Sequence, residues 1–188
     1  MNHNIKILVD CSGSMSGEPI DKVKNMLNDL FEALKINSET KSNTQICLST
    51  YNMSVNTLLE KVTIDEVKVP DFGEITSGPK NLGLALKSIN TSHDTTDLLL
   101  IITKGTPSDP QLFGEQSSVT QQRCRCIFVL HGNINKASAY SNITKNVTDW
   151  NLTDFTKLIQ KVFGGQVTVT SDGRATLQEP PKSIEIII

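Results

Sequence analysis

The stretch Leu98-Leu99-Leu100-Ile101-Ile102-Thr103 is apolar at every position but its last, and it is too short for a buried helix. An amphipathic helix would interrupt the run with polar residues every three or four positions. A strand with one wet face would alternate. A short run with neither period is a strand covered on both faces. Ile5–Val9 reads the same way and supplies a first strand.

What covers such strands is visible between them. After Gly17-Glu18-Pro19, with proline in the first turn, Ile20, Val23, Leu27, Leu30, Phe31 and Leu34 recur every three or four residues, one face of an amphipathic helix. Lys80–Ile89 predicts a second helix, and Asp109-Pro110 opens another, with Asp109 as its capping residue. Gln45–Tyr51 and Leu58–Ile64 predict a strand and its hairpin partner. Arg123–Leu130 predicts another strand, Asn135–Ser141 a short helix, Val147–Trp150 a short strand with Trp150 packing at its end, and Asp154–Phe163 the last helix. Strands alternating with helices imply right-handed crossovers, so the fold class is α/β: a doubly wound, mostly parallel sheet with helices on both faces.

The tail breaks this rhythm. Gln166–Thr170 and Ala175–Gln178 flank Ser171-Asp172-Gly173-Arg174, a hairpin signal. Ile184-Glu185-Ile186-Ile187-Ile188 reads as an edge strand or docking segment. The expected organisation is one α/β domain over residues 1–164 and a hairpin extension over 165–188, packed on or near it.

The formal net charge of −2, with no basic cluster, gives no footprint for nucleic acid. No apolar run approaches the roughly 18–20 residues that span a bilayer, and the first residues lack a basic segment followed by an apolar one, so no secretion signal is expected. A reducing cytoplasm is the expected location. Cys124 and Cys126, two apart on a predicted strand, should share one face and pack as small apolar groups.

In open α/β sheets the functional crevice lies beyond the carboxyl ends of the strands. Asp10, Lys104 and His131 each follow a predicted strand directly and so should share that edge. His131 is expected there as a loop histidine, with partner contact as the alternative. Asp10 begins Asp10-Cys11-Ser12-Gly13-Ser14, a carboxylate followed by hydroxyls at alternate positions, which are oxygen ligands for a hard cation. No Gly-x-Ser-x-Gly elbow and no phosphate-binding loop appears, so the chain is not expected to be an enzyme.

An apolar strand ending in Asp-x-Ser-x-Ser, within this alternating pattern, resembles a von Willebrand factor A domain. Asp10–Ile20, Asn81-Leu82-Gly83-Leu84-Ala85-Leu86, Thr103-Lys104-Gly105-Thr106-Pro107-Ser108-Asp109 and Ile143-Thr144-Lys145-Asn146-Val147 with Asp154-Phe155 are similar to the bacterial tellurium-resistance (TerY-like) type. The resemblance runs from about Ile5 to Phe163. It implies a metal-ion-dependent adhesion site with ligands from three loops. The first loop is kept as Asp10, Ser12 and Ser14. The family's threonine in the second loop aligns with Lys80, and its aspartate in the third aligns with Lys104. Slippage would bring Thr76 or Ser77 into the threonine role instead, and Asp109 is a substitute carboxylate in the reading that keeps a metal.

An ammonium has no lone pair to offer a cation, and one carboxylate facing two lysines repels magnesium. The expectation is therefore a degenerate adhesion site in which Lys80, Lys104 or both stand in the metal's place and pair with Asp10. No cofactor is expected, with magnesium or manganese as the alternative. The function that follows is a non-catalytic protein-interaction module of a stress or tellurium-resistance assembly, receiving a partner's acidic side chain. The competing readings are a metal-dependent binder with a distorted site, and a binder of anions or phosphoproteins at the same edge through Lys80 and Lys104, with Gly78-Pro79-Lys80 at a helix start as a candidate anion site.

Overall fold

The computed structural model describes residues 3–36, 43–75, 77–92, 94–150, 166–169 and 175–178. The predicted helix Asp154–Phe163 and the segment Ile184–Ile188 lie outside the described residues, as does Thr76.

The apolar runs become the middle of a six-stranded sheet. Its strands are β1 (His3–Asp10), β2 (Thr44–Tyr51), β3 (Val55–Thr63), β4 (Thr96–Thr103), β5 (Cys124–His131) and β6 (Val147–Asp149), in the order β3-β2-β1-β4-β5-β6. Every pairing is parallel except the β2–β3 hairpin. Three helices connect them among the described residues: α1 (Glu18–Ile36), α2 (Leu82–Thr91) and α3 (Pro110–Arg123). β7 (Gln166–Val169) and β8 (Ala175–Gln178) pair antiparallel as the predicted hairpin, in a two-stranded sheet of their own.

The period of two sorts each central strand onto two cores. Ile5, Ile7 and Val9 of β1, with Leu98, Leu100 and Ile102 of β4, face α1 through Val23, Leu27, Leu30, Phe31 and Leu34. Leu8, Leu99, Ile101 and Val129 face the other way, onto Leu82, Ala85 and Leu86 of α2 and Phe113 of α3. Two covered faces explain why these strands show no polar alternation.

Two local expectations are corrected. α2 begins at Leu82 rather than Lys80, because Lys80 is held in a loop: its N–H donates to Ser108 Oγ, its carbonyl accepts from Ser108 N–H, and Asn81 N–H donates to the Asn52 carbonyl. Cys124 and Cys126 pack in different cores, Cys124 with the α2–α3 layer and Cys126 with the α1 layer. Cys124 is both the cap of α3 and the first residue of β5, so its thiol lies within reach of the α2–α3 layer although its backbone is in register with Thr96.

Candidate functional site

Register places a row of polar side chains at the carboxyl ends of the strands. Asp10 stands opposite Tyr51, Val9 opposite Ile102, Thr103 opposite His131, and His131 opposite Asp149. Asp10, Thr103 and His131 share the sheet face that carries Leu8, Ile101 and Val129, so they point toward α2 and α3, and all three are fully buried.

Buried polar groups must find partners, and here they find each other. Asp10 Oδ1 accepts from the Ser12 N–H at 2.8 Å, and Oδ2 accepts from the Thr103 hydroxyl at 2.9 Å. The Tyr140 hydroxyl, from the 3-10 turn Ile134–Tyr140, donates to the Gly105 carbonyl at 2.5 Å and lies 3.5 Å from Thr103 Oγ1. His131 Nε2 donates to the same carbonyl at 2.9 Å, while its Nδ1 accepts from the Asn133 N–H at 2.8 Å. Those two bonds fix the neutral Nε2–H tautomer, because a second ring proton would face an N–H donor. The Tyr51 hydroxyl also lies against Thr103.

The electrostatics follow from burial. Burial, then the Asp10 charge, pushes the Tyr51 hydroxyl well above its ordinary range, and burial does the same to Tyr140. The Cys11 thiol is pushed up to about 12 by burial and by neighbouring Asp10, which makes it inert as a nucleophile. Burial lowers His131 below its ordinary value. The loop histidine expected at this position is instead an internal strut.

The three loops lie close to one another. Gly13 approaches Ser77, with 3.2 Å between the place a Cβ would take and Ser77 Cα. Lys80 lies across Gly105, its Nζ 2.6 Å from where a Cβ on that glycine would stand. Ser12 is buried, Ser14 is exposed, and their hydroxyls are 3.3 Å apart. Lys104 is exposed and lines a groove of about 140 Å³ with Glu18, Pro19, Lys22, Gly132 and Trp150.

The direct pair between Asp10 and a lysine is not formed. Among the described residues the ion pairs within 4 Å are Lys35–Glu32 and Lys61–Asp94. The physical reason is local: the Ser12 amide and the Thr103 hydroxyl already serve both Asp10 oxygens, so the carboxylate needs no cation beside it.

Asp109 also departs from expectation. Its carboxylate does not cap its own helix. Oδ1 accepts from Gly83 N–H at 3.1 Å and Oδ2 from Leu84 N–H at 3.0 Å, which caps α2. The amides at the start of α2, expected as an anion site beside Gly78-Pro79-Lys80, are thus filled by the chain's own carboxylate.

The donor set does not suit a hard divalent cation. One buried carboxylate and the hydroxyls of Ser12 and Ser14 stand where several oxygens and net negative charge are required. Lys80 and Lys104 occupy the two remaining loops, and Asp109 is engaged elsewhere. Among the described residues no group of three or more His, Cys, Asp or Glu side chains could hold a metal.

Comparison with known proteins agrees with the architecture. The von Willebrand factor type A domain matches residues 4–163. The manganese-loaded TRAP protein of Plasmodium vivax superposes with a TM-score of 0.65 at 18% identity, over 86% of this chain and 73% of that one. Proximal thread matrix protein 1 of the mussel byssus, with a zinc-occupied MIDAS motif, gives 0.59 at 17% identity, over 86% of this chain and 45% of that one. The PilB minor pilin of Streptococcus sanguinis gives 0.66 at 11% identity, over 86% and 60%. At such identities the likeness is one of fold. The chain spans about half the length of several of these proteins. No curated protein matches it in sequence.

Proposed function

The chain belongs to the von Willebrand factor type A domain family, and from that premise we propose that it is a non-catalytic protein-interaction module whose loop edge works without a resident divalent cation. The observation that carries this reading is the content of the three loops. Lys80 and Lys104 stand at two of them, and both oxygens of Asp10 are already bonded within the chain. An edge with ammoniums at its rim offers a partner's acidic side chain a direct charge-assisted contact, in place of a carboxylate–metal bond. Non-catalytic action is supported by the Cys11 thiol, which burial and neighbouring Asp10 hold protonated.

The finer assignment, a role of the tellurium-resistance or stress-response type in the cytoplasm, is supported by the motif similarity of Asp10–Ile20 and Thr103–Asp109 and by four cysteines held as thiols rather than disulfides. The metal-dependent alternative draws on the retained Ser12–Ser14 hydroxyl pair.

Thermal melting separates the two. Anything that binds the native state raises the melting temperature by mass action. The chain should melt at the same temperature with and without millimolar magnesium or manganese. The double variant Lys80→Thr/Lys104→Asp should gain a metal-dependent rise. A metal-dependent rise in the unaltered chain would overturn the proposal.

A further inference from the structure

We infer that the groove between Lys22, Lys104 and Trp150 is the seat for a partner's acidic side chain, lying beside the family's adhesion position rather than in it; the inference rests on the metal-free reading above. The groove is built by a glycine. A Cβ at Gly132 would stand 2.9 Å from Trp150 Cη2, 3.0 Å from its Cζ2 and 3.1 Å from Lys104 Cγ. Only a residue without a side chain lets the indole and the lysine stem lie together at this point. The indole is fixed at its other end, where Nε1–H donates to the Leu130 carbonyl at 2.9 Å.

The walls are charged and unspent. Lys22, from the start of α1, and Lys104 are exposed, and neither is ion-paired among the described residues. Glu18 faces the same groove, so the local balance of these three side chains is one net positive charge. A carboxylate can be met by both ammoniums through its two oxygens, and Glu18 limits what a phosphate's second charge would add. Size points the same way. A groove of about 140 Å³ has room for one carboxylate side chain. The methylenes of an aspartate or glutamate would rest on the indole while the carboxylate lies between the lysines.

Trp150 is the only tryptophan, so its emission and its indole N–H resonance report on this groove alone. The chain is titrated with a blocked glutamate-containing peptide, its glutamine counterpart, and inorganic phosphate at matched ionic strength. The glutamate peptide should shift both signals saturably. The shift should weaken about tenfold or more in Lys22→Gln/Lys104→Gln, as expected for losing charge-assisted contacts, and strengthen in Glu18→Gln. An unchanged response in the double lysine variant overturns the assignment, as does an equal response to the glutamine peptide or to phosphate. Glutamate-peptide binding that needs Lys80, ignores Lys22 and leaves Trp150 silent overturns the groove while leaving the metal-free reading intact. Peptide binding that appears only with added magnesium overturns that reading itself.

Discussion

The Thr103 hydroxyl donates to Asp10 Oδ2 at 2.9 Å across neighbouring parallel strands, both residues fully buried. This single bond satisfies half of a carboxylate that has no lysine within ion-pair distance. Thr103→Val keeps the shape and removes the donor, leaving a buried carboxylate oxygen unsatisfied. The expected loss is about 1–3 kcal/mol or somewhat more, read from urea unfolding midpoints at unchanged slope. Thr103→Ser should recover most of it. If Thr103→Val is as stable as the parent chain, Asp10 has another partner.

Asp109 bonds two N–H groups of a helix that is not its own. Asp109→Ala should cost about 1–2 kcal/mol by leaving the start of α2 uncapped. Protection from hydrogen exchange should fall at the Gly83 and Leu84 amides rather than in α3. Loss confined to α3 would show that the carboxylate serves its own helix after all.

Two glycines should respond very unequally to the same added methyl group. At Gly83 a Cβ would stand 2.7 Å from the Leu112 carbonyl carbon and 2.8 Å from Asp109 Oδ2, against backbone that cannot move without separating α2 from α3. Gly83→Ala should therefore cost about 3 kcal/mol, the upper end for overpacking. At Gly105 the obstacle is the far end of the Lys80 side chain, with Nζ at 2.6 Å and Cδ at 2.8 Å. Lys80 can swing out, so Gly105→Ala should cost under about 1 kcal/mol while displacing the lysine from the edge. Comparable losses at the two sites would contradict this account.

The sheet was legible in the sequence because burial on two faces leaves a periodicity of its own: Leu98–Ile102 shows none, and its odd and even residues fill two cores. Asp10, Ser12 and Ser14 were legible because their spacing is local. Thr103, Tyr51 and Tyr140 were not. They meet Asp10 only through strand register and a 3-10 turn that returns the chain to the sheet edge, and neither is written in neighbouring residues. Asp109 misled for a related reason. An aspartate before proline announces a cap, but which helix it caps depends on how closely α3 passes α2. Gly83, a glycine inside a helical pattern, was the available signal of that close approach. Lys80 lies across Gly105 and Lys104 lines the neighbouring groove. Their pairing with Asp10 failed because the sequence did not reveal that Thr103 and the Ser12 amide already satisfied it.

His131 should make stability depend on pH near neutrality. In the fold it is buried and neutral, donating through Nε2 and accepting at Nδ1 from Asn133 N–H, and burial lowers its proton affinity. In the unfolded chain it titrates near ~6.5. Between those two values the unfolded state binds more protons than the native state, so stability rises with pH there. The contribution is fully present above the unfolded value and is lost as pH falls from it through the lower folded value. Titration of ordinary carboxylates does not contribute as long as pH stays well above ~4, where those groups titrate. Melting temperature should thus fall between pH 7.5 and 5.5, and His131→Gln should melt lower at pH 7.5 yet show a clearly shallower decline. A variant whose pH slope matches that of the parent chain would mean that the native state accommodates the imidazolium, with the Asn133 bond broken at no measurable cost.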